Sequence, residues 1–155
     1  ESSGYQLKSE RINIKSFVIE RLMNVFDEFN HHGLEPVIEM PDEELYILGD
    51  SSAVTRVIDN LLSNAMKYSD GHVLIRLENN QLNVRFIIQN DAKSLKAEDV
   101  EYLFDRFYMA DRARSGKSTG LGLSIVKSFM EKMNGNVTAD LNDGKLTIVC
   151  KWNIA

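Results

Sequence analysis

Apolar positions recur along this chain at two periods, and the change from one to the other marks out its elements. Val54, Val57, Ile58, Leu61, Leu62 and Ala65 fall on one stripe at 3.6 residues per turn, which predicts a helix packed on a core. Phe17, Val18, Leu22, Val25, Phe26 and Phe29 give a second helical stripe, ended near His31-His32-Gly33. A third helix opens at Gly120-Leu121-Gly122-Leu123, presents Val126, Phe129, Met130 and Met133, and stops at Asn134-Gly135. Residues 97–107 fit a shorter amphipathic helix carrying Phe104 and Phe107. Elsewhere the period drops to two. Residues 11–14 read as a short strand, and residues 36–40 and 44–48 as two more, joined by Pro41-Asp42-Glu43. Residues 73–78 and the alternating Leu82, Val84, Phe86 and Ile88 form a hairpin around Asn79-Asn80. Val137, Ala139 and Leu141 pair across Asn142-Asp143-Gly144 with Leu146, Ile148, Cys150, Trp152 and Ile154. Gly49-Asp50-Ser51-Ser52 places a capping Asp or Ser in front of the central helix. The whole reads as α+β, a two-layer sandwich with helices on one face of a mixed sheet.

Composition adds bounds to this picture. With 155 residues, 43% hydrophobic and 26% charged, the chain is the size and make-up of one globular domain. A net charge of −5 and the lack of a basic run argue against nucleic acid as a partner. The single cysteine, Cys150, lies in an apolar alternating run and reads as a buried reduced thiol rather than a nucleophile. Adjacent His31 and His32 point to different faces of a helix end, where the dipole favours them, so they do not read as a metal pair. No apolar run reaches membrane-spanning length, which fits a domain that is not membrane-embedded and has a cytoplasmic address. The opening Glu1-Ser2-Ser3-Gly4 reads as a junction, so residues 1–10 are assigned to a connection and residues 11–155 to the domain.

Chemistry enters on the edge of the central helix. Asn60, Asn64 and Lys67 stand at i, i+4 and i+7, within roughly 60° of one another beside the buried stripe. Two carboxamide oxygens are hard ligands suited to Mg²⁺, and an ammonium is a partner for phosphate. Downstream, residues 108–119 lose all periodicity and carry Asp111, Arg112, Arg114, Gly116 and Lys117, a basic loop running into Gly-Leu-Gly at a helix start. Such a start holds phosphates, because glycines admit backbone N–H groups to the oxygens and the helix dipole favours their charge. Ser115-Gly116-Lys117-Ser118 is not a P-loop, since position 111 is Asp. Nor does Gly120-Leu121-Gly122 extend to a dinucleotide fingerprint, since position 125 is Ile.

Three segments together resemble a known family. Asn60-Leu61-Leu62-Ser63-Asn64-Ala65-Met66-Lys67-Tyr68-Ser69, then Leu103-Phe104-Asp105-Arg106-Phe107-Tyr108, then Gly120-Leu121-Gly122-Leu123-Ser124-Ile125-Val126-Lys127 are similar, in order and spacing, to the N, F and G2 boxes of sensor histidine kinase ATP-binding domains. The resemblance runs from about residue 11 to 153 and implies the Bergerat fold shared with gyrase, mismatch-repair and chaperone ATPases. It implies ATP and Mg²⁺ as cofactors, with Asn64 ligating the metal, Asn60 a second polar contact, Lys67 on phosphate and Tyr68 beside the nucleotide. Residues 108–119 would be the ATP lid, in which Arg114 reaches the γ-phosphate and Gly116 and Thr119 line the nucleotide. Gly120, Leu121, Gly122 and Leu123 would cover the triphosphate through their backbone, Phe104 and Phe107 would anchor the base of the lid, and Arg106 would serve domain contacts.

One box departs from the family pattern. Asp-x-Gly-x-Gly is replaced by Asn90-Asp91-Ala92-Lys93-Ser94. Asn90 can accept the adenine amino group only through a neutral bond, and Ala92 would cost about 1 kcal/mol if its backbone needed φ > 0. The departure keeps open a nucleotide-binding regulatory module without turnover. The position four before the metal asparagine, a Glu base in the ATPase branches that the chain resembles, is Asn60, which takes no proton at neutral pH. The resemblance therefore implies a protein-histidine kinase that hands the γ-phosphoryl group to a histidine elsewhere. No Ser-His-Glu-like acceptor box occurs here, so the implied partners are a dimerisation and phosphoacceptor domain of the parent protein and a response regulator, with this domain itself a monomer.

Overall fold

A computed structural model describes residues 6–106, 108 and 122–155. The elements run β1 (Glu10–Asn13), α1 (Ile14–His31), β2 (Val37–Glu39), β3 (Tyr46–Gly49), α2 (Ser51–Tyr68), β4 (Val73–Asn79), β5 (Asn83–Asp91), α3 (Ala97–Val100), α4 (Gly122–Lys132), β6 (Asn136–Asn142) and β7 (Lys145–Asn153). Five strands form one mixed sheet in the order β2-β4-β5-β7-β6, in which only the β2–β4 pair is parallel. β1 and β3 form a separate antiparallel pair.

Alternation along the strands makes the layers. In register across the sheet, Ile75, Ile88 and Ile148 form one row, and Leu77, Phe86 and Cys150 the next. All six are buried beneath the helices. The opposite face carries the ion pair of Arg76 with Glu39, that of Arg85 with Glu78, and a Gln89–Thr147 hydrogen bond of 2.9 Å. The helices contribute Val18, Leu22, Phe29, Val54, Val57, Ile58, Leu61, Leu62, Val126 and Met130 to the same core. The expected α+β sandwich, with helices over one face of a mixed sheet, is therefore the fold.

Ends and turns follow local chemistry. Asp50 caps α2, its Oδ1 accepting from the Ala53 N–H at 2.9 Å. Asn13 caps α1 through an acceptor for the Ser16 N–H. Asn134, at φ 62°, turns the chain out of α4, and the β6–β7 hairpin closes on Asp143 and Gly144, both with positive φ, as a two-residue loop of this kind requires.

Two expectations are corrected. The helix read over residues 97–107 is one turn, α3, followed by turns to residue 106, because Glu98, Asp99 and Glu101 break any apolar stripe; Phe107 lies outside the described residues. Leu82 belongs to the β4–β5 turn, where Asn80 Oδ1 accepts from the N–H groups of Leu82 and Asn83, and its side chain is 76% exposed. The two strands expected on either side of Pro41-Asp42-Glu43 are present, β2 pairing with β4 and β3 with β1.

Candidate functional site

The central helix is fixed before it presents any polar group. Its N-terminus rests on Asp50, whose other oxygen accepts from the Lys8 N–H at 2.8 Å. Burial alone would raise the pKa of this carboxyl, but backbone N–H donors from Lys8, Ala53 and Ser52 outweigh that and hold it below the usual carboxylate range. On the side facing α1, Arg21 forks onto Asp59 through Nε to Oδ1 at 2.8 Å and a terminal nitrogen to Oδ2 at 3.1 Å. The next residue along is Asn60.

Asn60 and Asn64 are half-buried, Lys67 is exposed and Tyr68 is half-buried, as their position between the core stripe and solvent demands. Asn60 and Lys67 are separated by about 10 Å along the axis, at the rise of an α-helix. Among the described residues no hydrogen bond engages the side chains of Asn60, Asn64 or Lys67. α4 begins against this edge, and a β-carbon placed on Gly122 would stand 3.9 Å from the Asn60 carboxamide oxygen. The polar edge of α2 thus runs up to the N-terminal end of an 11-residue helix, whose first N–H groups have no partner within the helix. Leu123 turns its side chain toward the core, leaving only its backbone for a ligand.

At the other end of α2 lies the departing segment. Asn90 sits on the helix-facing side of β5 between Val73 and Leu146, only 2% exposed. Its Nδ2 donates to the Asp91 carbonyl at 2.9 Å, which leaves the amide oxygen as its remaining acceptor. Ala92 is held by a 2.7 Å bond from its N–H to the Gly144 carbonyl, and the Lys93 N–H reaches Asp70 Oδ2 at 3.4 Å. Among the described residues the non-glycine positions with positive φ are Asn134 and Asp143, so Ala92 is unstrained and the anticipated cost is absent. Asp70 was not singled out in the sequence and Gly144 was read there only as part of the hairpin turn; their bonds to Lys93 and Ala92 depend on strand register and on the turn after α2.

The structure therefore brings Asn60, Asn64, Lys67 and Tyr68 onto one edge of α2, with Gly122 at one end of it and the Asn90–Lys93 segment tied to the turn at the other. Arg114, Gly116, Thr119, Gly120 and Leu121 lie outside the described residues. Phe104 packs on the core, Arg106 is exposed, and the Tyr108 hydroxyl donates to the Asp99 carboxylate. That bond lowers the Asp99 pKa, helped by the Lys96 N–H. No group of three or more His, Cys, Asp or Glu among the described residues could hold a metal, and the polar oxygens that this edge of α2 offers are those of carboxamides. No described helix is long and apolar enough to cross a membrane. Aligned carboxamides, an ammonium and a helix N-terminus can hold a polyanion with its counter-cation, and a buried amide can read a flat polar edge.

Residues 49–153 match the family described as histidine kinase-, DNA gyrase B-, and HSP90-like ATPase. The chain is similar to the sensor histidine kinase WalK of Bacillus subtilis (strain 168), with 35% identity over 155 residues, covering 96% of this chain and 25% of that protein. Thus it spans about a quarter of the length of this curated relative. Among solved structures it shares the fold of full-length ShkA in complex with AMPPNP, at a TM-score of 0.84 and 20% identity over 99% of this chain and 33% of that one. The histidine kinase ThkA in complex with the response regulator protein TrrA gives a TM-score of 0.79 and 17% identity over 95% and 42%.

Proposed function

Because this chain belongs to the family of histidine kinase-, DNA gyrase B- and HSP90-like ATPases, we propose that residues 11–155 are the ATP-binding catalytic domain of a two-component sensor histidine kinase. In this reading the domain donates the γ-phosphoryl group of ATP to a histidine on a separate dimerisation domain of its parent protein. The observation that carries it is the meeting of Asn60 with the first residue of α4, which sets the polar edge of α2 against a helix N-terminus. Triphosphate lies along that edge, with Lys67 on its oxygens and the backbone of Gly120, Leu121, Gly122 and Leu123 over it. Tyr68 and the Asn90 oxygen face the adenine. Arg114, with Gly116 and Thr119 in the same loop, completes the phosphate end.

Mg²⁺ fits the donor set, since Asn64 and Asn60 offer neutral hard oxygens and phosphate supplies the rest. Bound there, it offsets the charge of the phosphate oxygens. The protein's own part is positioning. Asn60 has no proton-accepting group at neutral pH, so it does not activate water beside the terminal phosphate, and the phosphoryl group waits for an imidazole carried in from another domain. The similarity to WalK, and the printed partnership of ThkA with a response regulator, support a response regulator as the next acceptor. We place the domain in the cytosol as a monomer, outside the membrane.

The test mixes this chain with a separately made dimerisation hairpin and γ-labelled ATP-Mg. Label appears on histidine of the hairpin and disappears with Asn64→Ala or Lys67→Ala. Nucleotide binding with no transfer, or steady phosphate release by this chain alone, overturns the reading.

A further inference from the structure

One side of α1 has no partner among the described residues. Ile19, Met23 and Phe26 stand at i, i+4 and i+7 in a single line, and they are 40%, 74% and 45% exposed. Large apolar side chains exposed in a row, beside a core face that already buries Val18, Leu22 and Phe29, exceed what packing this helix requires. Lys15, one turn earlier on the same side, locates the row. Its ammonium donates to the carbonyls of Pro41 at 2.7 Å and Asp42 at 3.1 Å, in the segment that leaves β2. The start of the row therefore lies near the end of β2, the end strand of the five-stranded sheet, whose Ile38 is 44% exposed and in register with Ile75 on the helix-facing side.

Charge selects the occupant. Glu20 and Asp27 follow the apolar row around α1, and Glu35 precedes β2; all three are exposed, and none forms a salt bridge among the described residues. Among the described residues Lys15 stands beside the row, but its ammonium is directed to the Pro41 and Asp42 carbonyls, and its single charge is outnumbered by the three carboxylates. Arg21 is turned to α2 and bound to Asp59. The rim is thus acidic around an apolar centre. A second copy of this chain docking face to face would set Glu20 and Asp27 against their own equivalents, and an anionic membrane surface would be repelled by the same carboxylates.

We propose that the Ile19–Met23–Phe26 face of α1, together with the β2 edge, is a docking surface for a basic amphipathic helix, one presenting apolar side chains at helical spacing flanked by Lys or Arg. The surface is separate from the polar edge of α2, because Arg21 and Asp59 on the opposite flank of α1 stand between them.

The test follows backbone amide signals of the isotope-labelled chain during titration with a synthetic Leu/Lys amphipathic peptide of about 18 residues, long enough to hold a helix on binding. The expected result is a saturable shift of residues 19–30 and 35–39, with Asn60, Asn64 and Asn90 unmoved. Met23→Ser with Phe26→Ser removes two exposed apolar groups, leaves every charge in place, and is expected to weaken binding by roughly tenfold or more. Glu20→Gln with Asp27→Asn is expected to weaken it several-fold and to flatten its salt dependence. The proposal is overturned if shifts spread over the acidic surface and survive the Met23→Ser, Phe26→Ser change. Equal binding of a Leu/Glu peptide overturns it too, as does dimerisation of the chain alone through this face, or its engagement by phosphatidylglycerol-containing vesicles in place of the peptide.

Discussion

Asn90→Asp restores the charged acceptor typical of the family, and the structure makes its two consequences opposite in sign. Without nucleotide the change removes the Nδ2 donor that bonds the Asp91 carbonyl at 2.9 Å and puts a carboxylate oxygen against that carbonyl. The site is 2% exposed and flanked in register by Val73 and Leu146, so neither water nor a cation offsets the loss. A lost hydrogen bond with a buried group left unpaired costs about 2 kcal/mol. Burial also favours the protonated acid in the folded chain, so the deficit shrinks toward low pH and grows as pH rises above the ordinary carboxylate range. With ATP the sign reverses, because a charged acceptor on the adenine amino group is stronger than a neutral one by roughly 1 kcal/mol, or about fivefold in Kd. GTP gains nothing, since its base presents a carbonyl there. Urea unfolding followed by Trp152, the single and fully buried tryptophan, reads the first effect. Calorimetric titration with ATP-Mg and GTP-Mg reads the second. Equal stability of the two chains, with ATP affinity indifferent to both Asn90→Asp and Asn90→Ala, would refute the placement of Asn90 at the base.

Asp50→Ala is expected to destabilise the chain by about 2 kcal/mol at neutral pH, from a lost helix cap and an unpaired Lys8 N–H. Since the folded Asp50 pKa is lowered, its contribution is full above the ordinary carboxylate pKa of about 4 and fades as pH falls below it, so wild type and variant converge in acid unfolding. Gly135→Ala would place a β-carbon 2.3 Å from the Lys151 carbonyl oxygen and 3.0 Å from Met130 Cε. The end of the Met130 side chain can shift, but the β7 backbone cannot yield cheaply, so a loss of about 3 kcal/mol is expected as a lowered urea midpoint, whereas Gly144→Ala strains φ without a clash. Cys150 is fully buried, and burial pushes its thiol pKa far up, so a thiol reagent should label it only as fast as the chain unfolds and at full rate in urea.

The long helices and both hairpins were legible because each carries its own signal. Eleven or more residues of one period, or two alternating runs closed by Asn-Asn or Asn-Asp-Gly, need no distant partner to be recognised. What stayed hidden is what distant partners decide. β1 and β3 share a sheet although 32 residues separate Asn13 from Tyr46, and β2 joins β4 in parallel across the whole of α2; three or four residues of alternation do not say with whom they pair. The site divides along the same line. Asn60, Asn64 and Lys67 were readable as a face because helix geometry alone sets it, whereas the Lys93–Asp70 and Ala92–Gly144 bonds depend on how strands and turns converge.

That division bears on how the site keeps its shape. The groups that spacing alone could find are the ones expected to touch nucleotide, and among the described residues their side chains engage nothing. The groups that hold them are engaged more than once: Asp50 accepts from backbone N–H groups on both sides, Lys8 and the first turn of α2, Asp59 receives the Arg21 fork, and the Asn90–Lys93 segment is tied both to Gly144 and to Asp70. A side chain that must release a ligand after each turnover gains from having no internal partner, because such a partner would compete with the ligand for the same lone pairs. Its backbone, in contrast, must not move, since phosphoryl transfer without a protein base depends on placement within fractions of an ångström. Weakening a brace such as Arg21–Asp59 should therefore cost the proposed transfer rate as well as stability, although neither residue is among those proposed to touch ATP.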